Sequence, residues 1–366
     1  MSLVILTASD VANVTSTFSP TELTELMARV FFHLSKPPSA KICQPHRANV
    51  SMLNHTALFM PSRLYPMGTA VKIVSVPSAS APQAVKEGGL PATSLVLDEQ
   101  SGGAKVIVNA RSLTALRNAA GSLLATRLLY NAEEPPKTLL ALGAGAQVAA
   151  HISLFLTAYP TIRSCFILNR SQNKRLEDLA TRARTEHPAV NLQIGTLSQA
   201  PNSDRNELTL EKAVRSADII ITATSSTVPL FPSEHVKSGT HLCLIGSYTP
   251  QMHEVDGDLV KRAGKIVVDS KFACLSEAGE LISANLGESD LVELGELLHY
   301  ESDEPADGAT YAPRTEMVRN VRNSGEVTIF KSVGVGVQDV AIAAAVVDRA
   351  NSCGVGLKVD NYDGNV

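Results

Sequence analysis

Hydrophobic positions fall into two textures along the chain, and the first mixes helix and strand periods. Residues 3–6 form a short apolar run that predicts an opening strand. Residues 19–34 carry apolar side chains at Leu23, Leu26, Met27, Val30 and Phe31, which is helical spacing. Ser19 supplies an N-cap there, Pro20 the first helical position, and Pro37-Pro38 ends the pattern. Residues 50–60 and 70–76 predict strands separated by Pro/Gly turns. Residues 94–97 and 105–109 predict a strand pair around Ser101-Gly102-Gly103, and residues 114–130 a long Ala/Leu-rich helix without Pro. The first 130 residues therefore read as an α+β unit.

A polar, Pro-containing linker at 131–137 separates this from a different texture. Residues 138–142 are a continuously apolar strand, followed by helix 147–158, strand 164–168, helix 174–183, strand 191–194, helix 208–216 and strand 218–222. Residues 241–245 and 265–268 add further strands. Solidly apolar strands alternating with helices predict a parallel sheet covered on both faces, with right-handed crossovers: a doubly wound α/β domain. Residues 301–323 are polar and predict a surface loop. Residues 327–331 then read as a strand and 337–350 as an amphipathic helix; there is no internal repeat.

Composition narrows the class. A chain of 366 residues exceeds one ordinary core, so two domains are expected. A formal net charge of −4 offers no footprint for nucleic acid, and 4% aromatics with no Trp offers no base-stacking platform. The opening apolar run lacks a basic flank and is too short for a signal peptide or a membrane span. The five cysteines are scattered without metal or redox spacing, which predicts neutral thiols in a reducing, cytoplasmic setting and no metal site.

The sharpest motif is Gly143-Ala-Gly145-Ala146-Gln147-Val148, between a predicted strand and a predicted helix. Gly143 permits the tight turn, Gly145 lets the backbone approach a pyrophosphate, and the helix N-terminus offers free N–H groups. Val148 stands where a small residue is usual, which predicts looser helix–strand packing. At the end of the next strand, Asn169-Arg170-Ser171, with Lys174 one turn on, replaces the acid that binds both ribose hydroxyls of NAD. A neutral Asn beside Arg and Ser suits a 2′-phosphate, so NADPH is expected, with NADH the alternative. Thr222, Thr224 and Gly246 end two further strands and are expected to line the nicotinamide side of the crevice.

Three cations stand out in the first domain. Arg47 precedes a strand, Lys72 interrupts an apolar one, and Arg117 lies on a small-residue helix face. Buried cations with no acid nearby in sequence predict an anionic ligand. Taken singly, each is also compatible with a snorkelling or surface side chain.

Together these features resemble the ornithine cyclodeaminase/mu-crystallin family. The likeness rests on Phe59-Met60-Pro61, Gly68-Thr-Ala-Val-Lys72, Leu113-Thr-Ala-Leu-Arg117, Leu142-Gly-Ala-Gly-Ala-Gln147, Gly246-Ser-Tyr-Thr-Pro250 with Glu254-Val-Asp256, and Phe330-Lys-Ser-Val-Gly334. The resemblance implies a homodimer. It implies a Rossmann domain at 137–326, inserted into a discontinuous α+β substrate and dimerisation domain at 1–130 and 327–366, with the active site in the cleft. It further implies that Arg47, Lys72 and Arg117 grip a small-molecule carboxylate substrate. Thr93, Arg117, Ala146, Gln147, Thr222, Ser332 and Val333 would approach cofactor or substrate. Cyclodeaminases of the family carry an Asp where this chain has Tyr248, so ring closure with ammonia loss is doubtful, since an unperturbed tyrosine with a pKa of about 10 is no carboxylate base.

The expected activity is hydride transfer from NADPH to an imine or ketimine carbon beside a carboxylate, with Lys72 or Tyr248 as proton donor. An amino-acid dehydrogenase or cyclodeaminase, and a non-catalytic NADPH-binding protein, remain the alternatives.

Overall fold

The computed structural model describes residues 2–37, 41–130, 135–197, 208–301 and 310–364. The chain opens with β1 (Leu3–Leu6), α1 (Ala8–Thr15), α2 (Pro20–Leu34), β2 (Ile42–Cys43), β3 (Ala48–Ser51), β4 (His55–Leu64) and β5 (Gly68–Pro77). It continues through α3 (Gln83–Glu87), β6 (Ala92–Leu97), β7 (Ala104–Asn109) and α4 (Leu113–Leu129). The middle holds β8 (Thr138–Leu142), α5 (Ala146–Ala158), β9 (Ser164–Asn169), α6 (Lys174–Glu186), β10 (Asn191–Thr196), α7 (Leu210–Ser216), β11 (Ile219–Thr222) and β12 (His241–Leu244). Then come α8 (Gly257–Arg262), β13 (Ile266–Val268), α9 (Lys271–Glu277), α10 (Gly279–Ser283), β14 (Leu291–Glu293), β15 (Leu298–Tyr300), β16 (Tyr311–Pro313) and α11 (Thr315–Arg322). The tail is β17 (Thr328–Lys331), α12 (Gly336–Cys353) and β18 (Leu357–Val359). No helix among the described residues is long and apolar enough to cross a membrane.

The chain divides into two compact units, Met1–Arg117 with Val335–Val366, and Asn118–Gly334. The first is an eight-stranded sheet in the order β18-β1-β7-β6-β5-β4-β2, with β3 also on β4. α12 lies across β4, β5 and β6, with α1 and α2 against it. α2 forms where the pattern placed it: Ser19 accepts from the Glu22 amide, the Glu22 carboxylate accepts from the Ser19 amide, and Leu23, Met27, Val30 and Phe31 are buried. β1 and β18 pair antiparallel, so the two chain ends meet in one sheet.

One reading of the first unit's strands needs revision, and one helix was not predicted. Residues 50–60 are a hairpin of β3 and β4 rather than one strand, closed by the Met52 amide on the His55 carbonyl at 2.7 Å. The apolar Met52 and Leu53 disguised the turn; Leu53 is 92% exposed at its tip. The eight residues of α1 carry only Val11 and Val14 as buried apolar positions, too sparse a period to announce a helix; Thr7 and Asp10 define it by a capping box.

The second unit is an eight-stranded, all-parallel sheet in the order β10-β9-β8-β11-β12-β17-β13-β14. The chain winds outward from β8 through β9 and β10, then returns to β11 on the other side. This is the doubly wound Rossmann arrangement, with its switch point between the carboxyl ends of β8 and β11. Leu139–Leu142 and Ile219–Ile221 are fully buried, as strands covered on both faces must be. β17, expected with the tail, instead lies inside this sheet between β12 and β13. Its Ile329, Phe330 and Lys331 have essentially no exposure. Only from Val335 does the chain belong to the first unit, and α4 crosses from one unit to the other after Arg117. Within 301–323, the described residues hold β16 and α11 rather than a plain loop, and 302–309 lie outside the described residues. Arg322 of α11 donates to the Leu128 and Tyr130 carbonyls at 3.0 and 2.8 Å, capping the carboxyl end of α4.

A buried polar seam in this unit makes stability depend on pH. His151 bonds to the Gln147 carbonyl (2.7 Å) and to Ser122 Oγ (2.9 Å); His241 bonds to Thr328 Oγ1 (2.8 Å). Burial pushes the His151 imidazole down to about 4, and burial with the Arg322 charge pushes His241 down to about 3, from an ordinary 6.5. As pH falls below 6.5 the unfolded chain takes up protons that the folded chain refuses. Folding stability is therefore complete above that pH and declines towards the folded values. Urea unfolding between pH 7 and 5 should show this loss, and His151→Gln and His241→Gln should each lessen it, by up to about 1.4 kcal/mol per pH unit. Identical pH dependence in wild type and both variants would contradict the assignment.

Candidate functional site

In the second unit the glycine turn sits at the switch point. Gly143 has φ +114°, and a Cβ there would lie 3.0 Å from the Ala223 carbonyl oxygen and 3.2 Å from Val148 Cγ2. Its amide donates to the Leu168 carbonyl at 2.8 Å, locking the turn against β9. A Cβ on Gly145, the N-cap of α5, would meet no atom within 4 Å, so the space over the helix N-terminus is open. The first amides of α5, on Ala146, Gln147 and Val148, have no acceptor within the helix and face that space. Gln147 Oε1 is buried with no hydrogen-bond partner among the described residues. An open cradle over a helix N-terminus suits a pyrophosphate, whereas Gln147 Oε1 is an acceptor and suits a donor such as a hydroxyl. Val148 is fully buried, so the expected loosening of helix–strand packing does not occur.

The end of β9 is shaped by Asn169, whose amide donates to the Ser171 carbonyl at 2.9 Å. Arg170 and Ser171 are exposed beside it. Lys174 is exposed too, in an i,i+4 pair with Asp178 at 3.1 Å, a contact worth little in solvent.

The ends of β11 and β12 are tied by one carboxylate that the sequence reading did not single out. Glu254 accepts from Thr222 Oγ1 (2.7 Å), the Thr224 amide (2.7 Å), Thr224 Oγ1 (2.9 Å) and the Gly246 amide (2.7 Å). Burial raises the Glu254 carboxyl, and the Lys331 charge opposes that rise. Lys331 itself is fully buried against Glu280 at 3.0 Å. Gly246 must be glycine: a Cβ would lie 2.1 Å from the Thr224 carbonyl oxygen and 2.4 Å from Glu254 Oε1. At the end of β17, Ser332 Oγ and the Gly334 amide both donate to Asp269 Oδ2 at 2.7 Å, so the Ser332 hydroxyl proton is already committed. Val333 is half-buried against the apolar core of this unit. Tyr248 is 45% exposed just beyond β12. Glu254 had a sequence signal in Glu254-Val-Asp256, but its hydrogen-bond partners lie as far as 32 residues away.

In the first unit, Lys72 on β5 and Arg117 on α4 come together, with 4% and 3% exposure. The expectation of cations without an acid fails here. Asp339 of α12 accepts from Lys72 Nζ at 2.6 Å and from Arg117 Nε at 3.2 Å. Gln338 Oε1 accepts from Arg117 Nη1 at 2.6 Å. Burial pushes the Lys72 amine down and Asp339 pulls it partly back. Burial alone would raise the Asp339 carboxyl, but Arg117 and Lys72 hold it below the ordinary carboxylate value. Arg47 is exposed, just before β3, and close enough for its charge to depress Lys72. Thr93 is not part of this cluster. It pairs with Ile73 while Lys72 pairs with Ser94, so its side chain lies on the opposite face of the sheet.

These geometries separate structural from ligand-facing glycines. Gly145→Ala should leave stability within about 0.5 kcal/mol of wild type while weakening dinucleotide binding. Gly246→Ala should cost about 1–3 kcal/mol or more through overpacking. Urea unfolding and cofactor titration of both variants check this; equal stability losses would contradict it.

Known proteins resemble this chain over most of its length. The chain is 32% identical over 326 residues to a Delta(1)-pyrroline-2-carboxylate reductase of Bacillus cereus, spanning 86% of this chain and 89% of that protein. It is 29% identical over 325 residues to the ketimine reductase mu-crystallin of Rattus norvegicus, spanning 87% and 89%. Among solved structures, Thermococcus litoralis Delta(1)-pyrroline-2-carboxylate reductase in complex with NADH and L-proline superposes with a TM-score of 0.75 at 25% identity, covering 97% of this chain and 99% of that one. With a family match over residues 7–354, the chain belongs to the ornithine cyclodeaminase/mu-crystallin family.

Proposed function

We propose that this protein is an NADPH-dependent reductase of cyclic imines that carry a carboxylate on the C=N carbon. The observation that carries the reading is the buried pair of Lys72 and Arg117, bridged by Asp339, with Arg47 near enough for its charge to act on Lys72. A cluster of cations suits one substrate carboxylate, and Arg suits it bidentately. The names of its relatives, pyrroline-2-carboxylate and ketimine reductases, support the same chemistry. Tyr248, where cyclodeaminases carry Asp, speaks against ring closure with ammonia loss.

A bound reduced nicotinamide supplies the hydride. The chain's own work is orientation and one proton. Arg47, Lys72 and Arg117 would fix the substrate carboxylate and so orient the imine. As that carbon gains the hydride, the C=N electron pair moves to nitrogen, which takes a proton from the Lys72 ammonium; solvent restores it. Tyr248 is the alternative donor. Gly143, Gly145, Ala146 and Gln147 would hold the pyrophosphate, and Thr222, Thr224 and Gly246 the nicotinamide side. Arg170 and Ser171 would take the 2′-phosphate.

The reading includes a homodimer. Ile5, Ile107, Leu95, Val71 and Pro61 align across five strands on the sheet face away from Lys72, and all are half-buried. A second copy is the partner proposed for that row. Light scattering should then report twice the 38.8 kDa of one chain, with Leu95→Asp shifting it to a monomer; a monomeric wild type would exclude the dimer.

The activity is tested by following the reduced nicotinamide with preformed cyclic 2-carboxy imines, and in reverse with L-ornithine and L-alanine. NADPH consumption with the imines is expected. Lys72→Met should lower kcat by about 10²–10⁴-fold with NADPH binding intact. Arg170→Ala should weaken NADPH about tenfold, close to 1.4 kcal/mol, and leave NADH unchanged. Turnover only with the amino acids would favour a dehydrogenase, and tight NADPH binding without any turnover a binding protein.

A further inference from the structure

Asp339 reaches the cation cluster through a close approach of α12 to the sheet. A Cβ on Gly336, the first residue of that helix, would lie 2.3 Å from Ser62 Oγ on β4, so any side chain there would have to displace the Ser62 hydroxyl. Gln44 Oε1 accepts from the Val337 amide at 3.0 Å and pins the same turn. The turn thus delivers Gln338 and Asp339 side by side. Each oxygen of Asp339 takes one cation: Oδ2 the Lys72 ammonium, Oδ1 the Arg117 Nε. Gln338 completes the hold on Arg117, accepting at Oε1 from Nη1 and donating from Nε2 to the Arg117 carbonyl at 3.4 Å. An anion in the first turn of a helix is also favoured by the helix dipole.

We propose that Asp339 is the positioning residue of this site: it holds the Lys72 ammonium and the Arg117 guanidinium side by side for one carboxylate-bearing imine and keeps Lys72 charged as its proton donor. The proposal rests on the reductase reading above and adds to it the origin of the donor's protonation. Among the described residues, the groups facing Lys72 are Asp339 from α12, Arg117 and the Thr114 hydroxyl (3.5 Å) from α4, and Arg47 from the segment before β3. Without Asp339, two cations and burial all act to discharge Lys72. Arginine cannot lose its proton in a protein; lysine can. An ammonium has three N–H donors. Among the described residues Asp339 and Thr114 account for two, leaving one for a ligand.

The test compares full-length wild type, Asp339→Asn and Asp339→Glu, measuring kcat/KM against pH with NADPH and 1-pyrroline-2-carboxylate. A second readout is calorimetric binding of the planar, non-reducible substrate analogue pyrrole-2-carboxylate, in the presence of NADP+, over the same pH range. In Asp339→Asn the alkaline limb of kcat/KM, and of carboxylate binding, should move at least about one unit to lower pH as Lys72 discharges early. In Asp339→Glu the limb should stay with wild type while kcat falls, since charge is kept and placement is lost. An alkaline limb at the same pH in Asp339→Asn and wild type would overturn the inference, with the reductase reading intact. If Asp339→Asn does not fold, a kcat in Asp339→Glu equal to wild type overturns it. If wild type reduces no imine yet the binding limb still moves in Asp339→Asn, the reductase reading falls and the role of Asp339 stands.

Discussion

Two cations cannot share a protein interior unless a carboxylate sits between them. Lys72 and Arg117 are almost wholly removed from solvent, and their charges face one another across the junction of β5, α4 and α12. The desolvation cost of each ion is several kcal/mol, and only a paired, hydrogen-bonded arrangement offsets it. Asp339 provides that pairing with one oxygen for each cation. The first turn of α12, with Gly336 and the hydrogen bond from the Val337 amide to Gln44 Oε1, brings it there. In the proposed function this buried pair, with the charge of Arg47 nearby, receives the substrate carboxylate.

The second unit solves a parallel problem at its sheet ends. The loops leaving β11 and β12 carry amides that need acceptors. Glu254 takes four donors from these two exits and so fixes the backbone around Thr222, Thr224 and Gly246. Asp269 does the same for the exit of β17. Both are buried carboxylates serving backbone order. The glycine turn then needs only its own conformation: positive φ at Gly143 and open space over Gly145.

Local features were legible in the sequence because their causes are local. The capping box of α2, the apolar parallel strands and the glycine turn each carry their signal within a few residues. Long-range features were not. Asp339 lies 267 residues from Lys72, and within an amphipathic helix an Asp reads as a solvent position, although Gln338 and Asp339 are both buried. β17 carries no mark that separates a central strand of the doubly wound sheet from the start of the tail; its place is set by pairing with β12 and β13. Met52 and Leu53 show the converse failure, apolar residues at a turn whose exposure no periodicity announces.

The proposed function requires an anion held by Lys72 and Arg117. A crystal structure of the protein grown with NADP+ and a planar cyclic 2-carboxylate tests it most directly. The ligand carboxylate should lie within hydrogen-bond distance of the Lys72 ammonium and the Arg117 guanidinium, with Asp339 still bridging the two from behind. A ligand bound elsewhere, with those two side chains satisfied by Asp339 alone, would contradict it.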